Sequence, residues 1–246
     1  MRVTRLFLES DCQTGQTIAL PKEQAHYALT VLRLKDRSTL ELFNGQGQLA
    51  TGTLLVTGRR TAEVHIVSVT HTNCESPLNS VLVQAISKGD RMETSIQKSV
   101  ELGVTAIQPI FTEHSAVKLE GDKLEKRRQQ WQSIVINACE QSGRTVVPKV
   151  LPILTYQAWL ESTDHSKVFG LVLDPYAPDS LRSVQPPEKG IPIYLLVGPE
   201  GGLSQQEVTL ATERGLTPIQ LGPRVLRTET AGPAILAGLQ LMWGDF

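Results

Sequence analysis

LGPRVLRTETA, residues 221–231, joins a short β-branched run to an apolar helical pattern. The stretch combines a Gly-Pro turn with two arginines, a carboxylate and two threonine hydroxyls. LVGPEGGLS, residues 196–204, follows the same plan, because a strand pattern there also breaks into a glycine-rich turn before a helix. Two strand–loop–helix junctions of this kind predict one pocket at the strand ends of an α/β sheet.

The chain from residue 78 onward alternates strand and helix patterns, which is typical of a parallel sheet. Strands are predicted over 80–86, 106–111, 168–173, 193–197 and 218–221, and helices over 90–102, 122–142 and 230–242. Another helix should begin after Ser204, because Ser204 and Glu207 have the spacing of a capping box. Pro233 is compatible with the last helix because it falls in the predicted first turn.

Residues 1–72 are β-rich instead. Strands are predicted over 2–8, 39–43, 48–57 and 62–69, and one helix over 21–34. Asn44-Gly45 predicts a tight turn between two of these strands. Short strands around a small helix predict a compact barrel, which a polar linker at 70–77 follows. The sequence therefore predicts two domains, 1–72 and 73–246.

The composition is typical of a globular protein of the reducing cytosol. Of 246 residues, 40% are hydrophobic and 20% are charged, which excludes a disordered chain. The three cysteines lack Cys-x-x-Cys spacing, which argues against a disulfide framework and a zinc site, and Cys139 should pack as a small hydrophobic side chain. Neither a signal peptide nor a membrane-length apolar run is visible, so we expect a cytoplasmic protein without a membrane partner. No histidine has metal-ligand spacing, so no metal is expected.

The glycine turn at 198–202 is neither a dinucleotide fingerprint nor a P-loop, and Glu200 would repel a phosphate. A pocket built of backbone and apolar side chains suits an adenine and a thioether better than a triphosphate. In the alternative interpretation, the glycines serve only the turn geometry, and Arg224 and Arg227 are solvated loop cations.

Two further stretches carry polar residues that could meet RNA. Lys88 and Arg91 flank the point where a strand ends and a helix begins, although Asp90 there could simply cap the helix. Residues 137–144 place polar side chains, including Arg144, on one helical face, which usually means a solvated helix end. With a formal net charge of −1, the sequence permits a nucleic-acid partner without requiring one.

These stretches together resemble the RsmE family, SPOUT-class methyltransferases that modify uracil N3 in 16S ribosomal RNA. The motifs that carry the resemblance are 198–204 and 221–231, supported by 88–93 with 97–104, by 137–144, and by 26–33 with 44–45. The resemblance covers essentially the whole chain. It implies an N-terminal PUA-like RNA-binding barrel, a C-terminal α/β SPOUT domain with a deep trefoil knot, S-adenosylmethionine as cofactor, 16S rRNA of the small subunit as partner, and a homodimer.

Carried over motif by motif, the resemblance also implies roles for individual residues. The implied cofactor contacts are Leu173, Gly198, Glu200, Gly201, Leu221, Gly222, Leu226 and Thr230. The implied catalytic residues are Arg227, Glu229 and Arg224, and the implied RNA contacts are Arg5, Arg33, Lys88, Arg91 and Arg144. The chain departs from the family pattern at Gly232-Pro233, which could alter the start of the last helix, and at 34–38, where a glycine is common.

The reaction implied is direct methyl transfer to N3 of an unpaired or flipped uridine. Arg227, or Arg224, would stabilise the negative charge that develops on the uracil carbonyls. Glu229 is either the base that removes the N3 proton or an anchor that orients Arg227. The alternatives are a related SPOUT methyltransferase that acts on another RNA, and a non-catalytic RNA-binding assembly factor.

Overall fold

The computed structural model describes residues 3–117 and 119–246, so Arg2 of the predicted first strand lies outside the described residues. The chain forms two compact units, Met1–Glu75 with Cys139–Val147, and Ser76–Ala138 with Pro148–Phe246. The first unit is therefore discontinuous in sequence. The boundary between residues 72 and 73 stays a prediction of the domain limits.

The first unit contains a five-stranded sheet. Its strands are β1 (Thr4–Phe7), β2 (Thr17–Ala19), β3 (Thr39–Phe43), β4 (Gln48–Gly58) and β5 (Thr61–His71). They are ordered β1-β3-β4-β5-β2, and all pairs are antiparallel except β1 with β3. Alternate positions of β4 and β5 are buried because successive strand side chains point to opposite faces. Sequence patterns missed only β2, which has three residues.

The predicted helix at 21–34 is shorter than expected. Helix α1 (Lys22–His26) continues into a single π-helical turn, Tyr27–Val31, rather than into further α-helix. The turn predicted at Asn44-Gly45 is confirmed: the Asn44 side-chain oxygen accepts hydrogen bonds from the amides of Gln46 and Gln48, at 2.8 and 3.1 Å. Gly45 has a φ of 79°, which glycine adopts without steric cost.

The second unit is the predicted parallel α/β fold. Its strands are β6 (Ser80–Ala85), β7 (Ala106–Phe111), β8 (Lys149–Val150), β9 (Leu154–Thr155), β10 (Phe169–Leu173), β11 (Ile193–Val197) and β12 (Thr217–Ile219). All are parallel in the order β12-β10-β11-β6-β7-β8, with β9 also paired to β7. Its helices are α2 (Asp90–Glu101), most of α3 (Asp122–Ser142), α4 (Tyr156–Ser162), α5 (Gln205–Glu213) and α6 (Thr228–Trp243). Helix α4 and the two-residue strands escaped the sequence patterns. The trefoil knot stays a prediction.

Two helix starts test the sequence rules. The capping box of α5 is confirmed, because Ser204 Oγ accepts from the Glu207 amide and the Glu207 carboxylate accepts from the Ser204 amide. The cap predicted at Asp90 is wrong: Gly89 is the cap residue of α2 and Asp90 is the first helical residue, with no side-chain cap bond. The chain turns sharply here at Gly89, with a φ of 58°, so the glycine starts the helix by its backbone conformation.

The last helix begins earlier than predicted. Because the Arg227 carbonyl accepts from the amides of Thr230 and Ala231, α6 starts at Thr228. Pro233 is consequently the sixth residue of the helix, and its placement in the first turn was wrong. Proline has no amide hydrogen, so the Glu229 carbonyl lacks its usual partner one turn later.

The apolar face of α6 belongs to the core of its own unit. Ile235, Leu236 and Leu239 are at most 1% exposed, so these three side chains pack inside the protein. Met242 at 40% and Leu241 at 72% remain exposed. Among the described residues, none of the helices combines the length and apolar character needed to cross a membrane.

The turn at 34–38 gives a first testable prediction. Arg37 has a φ of 66°, a left-handed conformation that costs a side-chain-bearing residue more than glycine. We expect Arg37→Gly to raise the free energy of unfolding by roughly 0.5–1 kcal/mol, measured by urea denaturation. The matched control is Lys35→Gly, since Lys35 has no positive φ; it should lower stability. A loss of stability in Arg37→Gly would contradict the prediction.

Candidate functional site

One cavity of about 590 Å³ opens at the carboxyl ends of β10, β11 and β12. Most residues of the segments 173–176, 197–203 and 221–231 line it, together with Arg91 from α2, Ile219 from β12, and Gln205 and Val208 from α5. Parallel strands end at the same edge of a sheet, and ligand sites of open α/β folds lie there. The two sequence stretches that predicted a common pocket therefore do line one cavity.

The cavity gathers most of the predicted site residues. The predicted cofactor contacts that line it are Leu173, Gly198, Glu200, Gly201, Leu221, Gly222 and Leu226, and the predicted catalytic residues Arg224, Arg227 and Glu229 line it too. Thr230 is exposed on α6 and is absent from the cavity walls, where Thr228 lies instead. Their roles in binding and catalysis stay predictions.

Three glycines let the backbone form the cavity wall. A Cβ on Gly198 would lie 2.8 Å from the Leu203 amide nitrogen, and one on Gly201 would lie 2.9 Å from the His114 Cβ. Both distances are closer than real Cβ contacts, and Gly222 has a φ of 78°. Larger residues would displace or strain the loops, so these positions need glycine for the loops to keep this conformation.

A buried polar network ties the two loops together. Thr228 Oγ1 donates to the Gly198 carbonyl at 2.7 Å and accepts from Gln84 Nε2 at 2.9 Å. Ser95 Oγ donates to Gln84 Oε1 at 2.9 Å. All these side chains are at most 6% exposed. The sequence reasoning missed this network; its available signal was a single glutamine, Gln84, in a strand whose other residues are small or apolar.

Glu200 lines the cavity, but its carboxylate is hydrogen-bonded to other residues of the protein. Its Oε1 accepts from the Lys88 amide and from Arg91 Nη1, both at 2.8 Å. Burial raises the pKa of Glu200, but hydrogen bonds from its own amide, the Lys88 amide and Arg91 outweigh burial and lower the pKa below its ordinary value. Glu200 therefore links the 198–203 loop to the start of α2 as a carboxylate, and its cofactor contact stays a prediction.

Glu229 lies between two arginines. Its Oε2 is 4.0 Å from Arg91 Nε, and its Oε1 is 4.0 Å from Arg227 Nη1. The Oε2 atom is buried without a hydrogen-bond partner, whereas the Arg227 side chain is 80% exposed. Glu229 thus lies on the cavity wall near both arginines, and the Arg227 side chain is largely exposed to solvent.

Arg91 is the predicted RNA contact that lines the cavity, and the remaining predicted RNA contacts lie outside its walls. In the first unit, Arg5 stacks on the Phe43 ring, with its Cζ 5.3 Å from the ring centroid. Arg144 is 4% exposed and its Nε donates to Glu75 at 2.9 Å, so the interpretation of Arg144 as part of a solvated helix end is wrong. Both arginines are held inside the unit, which favours a packing role.

Arg33 and Lys88 are exposed and free to meet a partner. Their roles as RNA contacts stay predictions, like those of Arg5, Arg91 and Arg144.

The described side chains do not form a cluster of metal ligands. Across 3–117 and 119–246, no group of histidine, cysteine, aspartate or glutamate side chains could hold a metal ion.

Cys139 is fully buried in the first unit, as its apolar neighbours in sequence predict, and burial raises the pKa of its thiol to about 12.

Comparisons with known sequences agree over the whole chain. Residues 74–240 match a family model described as an RNA methyltransferase domain, and residues 20–67 match an RNA methyltransferase PUA domain. Ribosomal RNA small subunit methyltransferase E of Buchnera aphidicola subsp. Schizaphis graminum is 37% identical over 244 residues, 99% of this chain and 98% of that protein. The protein of the same name from Bacillus subtilis is 30% identical over 98% of this chain and 99% of its own.

Solved structures give the same result. A crystal structure of a ribosomal RNA small subunit methyltransferase E from Neisseria gonorrhoeae, bound to S-adenosyl methionine, has a TM-score of 0.91 at 42% identity, with both chains fully covered. A Legionella pneumophila structure in complex with the bound cofactor SAM has a TM-score of 0.94 at 38% identity, again with both chains fully covered.

The buried network gives a second prediction. Thr228→Val keeps the side-chain shape but removes the hydroxyl, which leaves the Gly198 carbonyl and one Gln84 donor without this partner. We expect the free energy of unfolding to fall by about 1–3 kcal/mol in chemical denaturation. Thr230→Val is the matched control, because Thr230 is exposed and lies outside the cavity walls. Equal effects of the two substitutions would show that the network does not join the loops.

Proposed function

Since the chain belongs to the ribosomal RNA small subunit methyltransferase E family, we propose that it methylates N3 of a uridine in 16S ribosomal RNA. It is an S-adenosylmethionine-dependent rRNA methyltransferase. The observation that carries the proposal is the joining of two glycine loops by Thr228 around a cavity whose opening carries exposed arginines. A backbone-rich interior suits an uncharged adenosine, and the cationic opening suits RNA.

The cavity fits the cofactor by the chemistry of its walls. The glycine positions leave backbone groups exposed to a ligand, and the apolar side chains Leu173, Leu221 and Leu226 offer surfaces for an adenine. S-adenosylmethionine supplies a methyl group on a positively charged sulfur, which is a good leaving group. The protein therefore has to position the two reactants and stabilise charge on the accepting base.

Arg227 is the residue we assign to charge stabilisation. The N3 proton passes to solvent and places negative charge on the uracil carbonyl oxygens, and a guanidinium that donates to one of them stabilises that charge. The N3 nitrogen then takes the methyl group, and the neutral thioether leaves. Glu229, 4.0 Å from Arg227 Nη1 and from Arg91 Nε, is placed to orient Arg227. An ordinary carboxylate is a poor base for an imide proton, so we assign Glu229 to positioning.

The target has to be accessible at N3. A paired uridine uses N3 in its Watson–Crick hydrogen bond, so the base must be unpaired or flipped into the cavity. We place the target in the decoding region of the small subunit.

We further propose that the chain works in the cytoplasm as a homodimer. Dimerisation would cover exposed apolar residues near its C-terminus, such as Leu241 and Phe246. We also propose that its C-terminal domain is knotted.

The function is tested by supplying labelled S-adenosylmethionine with small subunits that lack the modification, with protein-free 16S rRNA and with tRNA. We expect label in the 16S rRNA, and mass spectrometry of nuclease fragments should map it to N3 of one uridine. Label only in tRNA would indicate a methyltransferase with another substrate. Calorimetry that detects no S-adenosylmethionine binding would indicate a non-catalytic assembly factor.

The assignment of Arg227 and Glu229 gives a third prediction. Arg227→Ala should lower kcat by roughly 10²–10³-fold, the usual effect of removing a donor to a developing oxyanion. Arg182→Ala is the control, because Arg182 is exposed and outside the cavity walls.

Glu229→Gln should retain kcat within about 10-fold at every pH between 6 and 9, since an amide can still orient Arg227 whereas it cannot accept a proton as a base. A collapse of kcat in Glu229→Gln with intact cofactor binding would assign Glu229 as the base.

A further inference from the structure

Tyr176 is the most exposed large hydrophobic side chain of the described residues, at 86%, and it lies at the cavity. A residue that lines a cavity and yet is almost fully exposed stands at its opening. The ring therefore meets whatever enters the cavity from solvent.

The backbone beneath this ring is fixed. The Tyr176 amide donates to Asp174 Oδ1 at 3.0 Å, and the Ala177 amide donates to the Asp174 carbonyl at 3.2 Å. These bonds make a tight turn directly after β10. The side chain is thus presented from an ordered turn, so the backbone of this turn loses little entropy when a partner covers the ring.

The same opening carries other exposed groups. Val225 is 74% exposed, the Arg227 side chain is 80% exposed, and Arg224 is exposed and makes no ion pair with any residue the structure describes. A single exposed tyrosine needs no explanation. An aromatic ring that lines the same cavity as exposed guanidiniums is a combination that binds single-stranded nucleic acid, because bases stack on the ring and phosphates meet the cations.

We propose that Tyr176 stacks on a nucleobase of the substrate RNA next to the target uridine. The inference rests on the proposed function. The target base has to pass the opening to reach Glu229 and Arg227, so the neighbouring base is left at the rim, where the Tyr176 ring stands. Stacking on an aromatic face tolerates any base. Tyr176 therefore contributes to RNA capture, and the choice of the methylated atom belongs to the cavity.

The test compares Tyr176→Ala and Tyr176→Phe with the wild-type chain in steady-state methylation of the rRNA substrate. Tyr176→Ala should raise the KM for RNA by roughly 5- to 100-fold with little change in kcat, and Tyr176→Phe should behave like wild type, because the ring is retained. The melting temperature should be unchanged in both variants. Because Tyr176 also lines the cavity, the affinity for S-adenosylmethionine is measured by calorimetry, and a loss of that affinity in Tyr176→Ala that matches the rise in KM would overturn the inference.

A binding measurement separates this inference from the proposed function. An RNA hairpin with 2-aminopurine beside the target uridine should show ring-dependent quenching with wild type and Tyr176→Phe, and none with Tyr176→Ala. Wild-type methylation together with an unaltered KM and unaltered quenching in Tyr176→Ala would overturn the inference alone. Absence of rRNA methylation by the wild type would overturn the proposed function and, with it, the inference that rests on it.

The alternative partner of the Tyr176 ring is a second copy of the chain. Sedimentation velocity of the same variants measures the oligomeric state and so tests this alternative. If Tyr176→Ala dissociates an oligomer in parallel with the rise in KM, the ring belongs to an interface between copies and the inference is overturned. An unchanged oligomeric state with a raised KM supports it.

Discussion

The hydrogen bond from Thr228 to the Gly198 carbonyl is the contact on which the site depends. It joins the loop after β12 to the loop after β11. Gln84 donates a hydrogen bond to Thr228, and Ser95 donates one to Gln84. Buried polar groups are costly unless each finds a partner, so the network favours one arrangement of the two loops. The positions of the cavity walls then follow from that arrangement, because both loops line the cavity.

Arg91 contacts carboxylates on the cavity wall, whereas two other arginines of the cavity are exposed to solvent. Arg91 contacts Glu200 at 2.8 Å and approaches Glu229 at 4.0 Å, which connects α2 to both functional loops. Arg224 and Arg227 instead remain exposed at the opening. A preorganised interior with available cations outside suits a reaction in which an uncharged cofactor moiety is held inside and a polyanion approaches from solvent.

Local sequence rules predicted most elements because each depends on neighbours in the chain. The capping box at Ser204 and the β7 and β11 strands follow from spacing within a few residues. The same rules failed at Pro233 and at Arg144, and in the second case a distant contact is the reason. Pro233 lies deeper in α6 than its sequence suggested, because the Arg227 carbonyl starts the helix early. Arg144 has the sequence context of a solvated helix end, yet Glu75, 69 residues away, draws it into the first unit.

The sequence by itself determined the parallel α/β class and the two glycine loops, since the patterns of strands, helices and turns are local properties. Its resemblance to a known family supplied the candidate residues for methyl transfer. Only the tertiary structure decided which of those residues share a wall. Gln84 and Thr228 are 144 positions apart, and Lys88 and Glu200 are 112 positions apart. Contacts over such separations arise from the packing of strands and helices, and no short sequence pattern records them. Thus Thr228 rather than Thr230 lies in the cavity wall, and Glu200 is committed to Arg91, because the fold sets their neighbours.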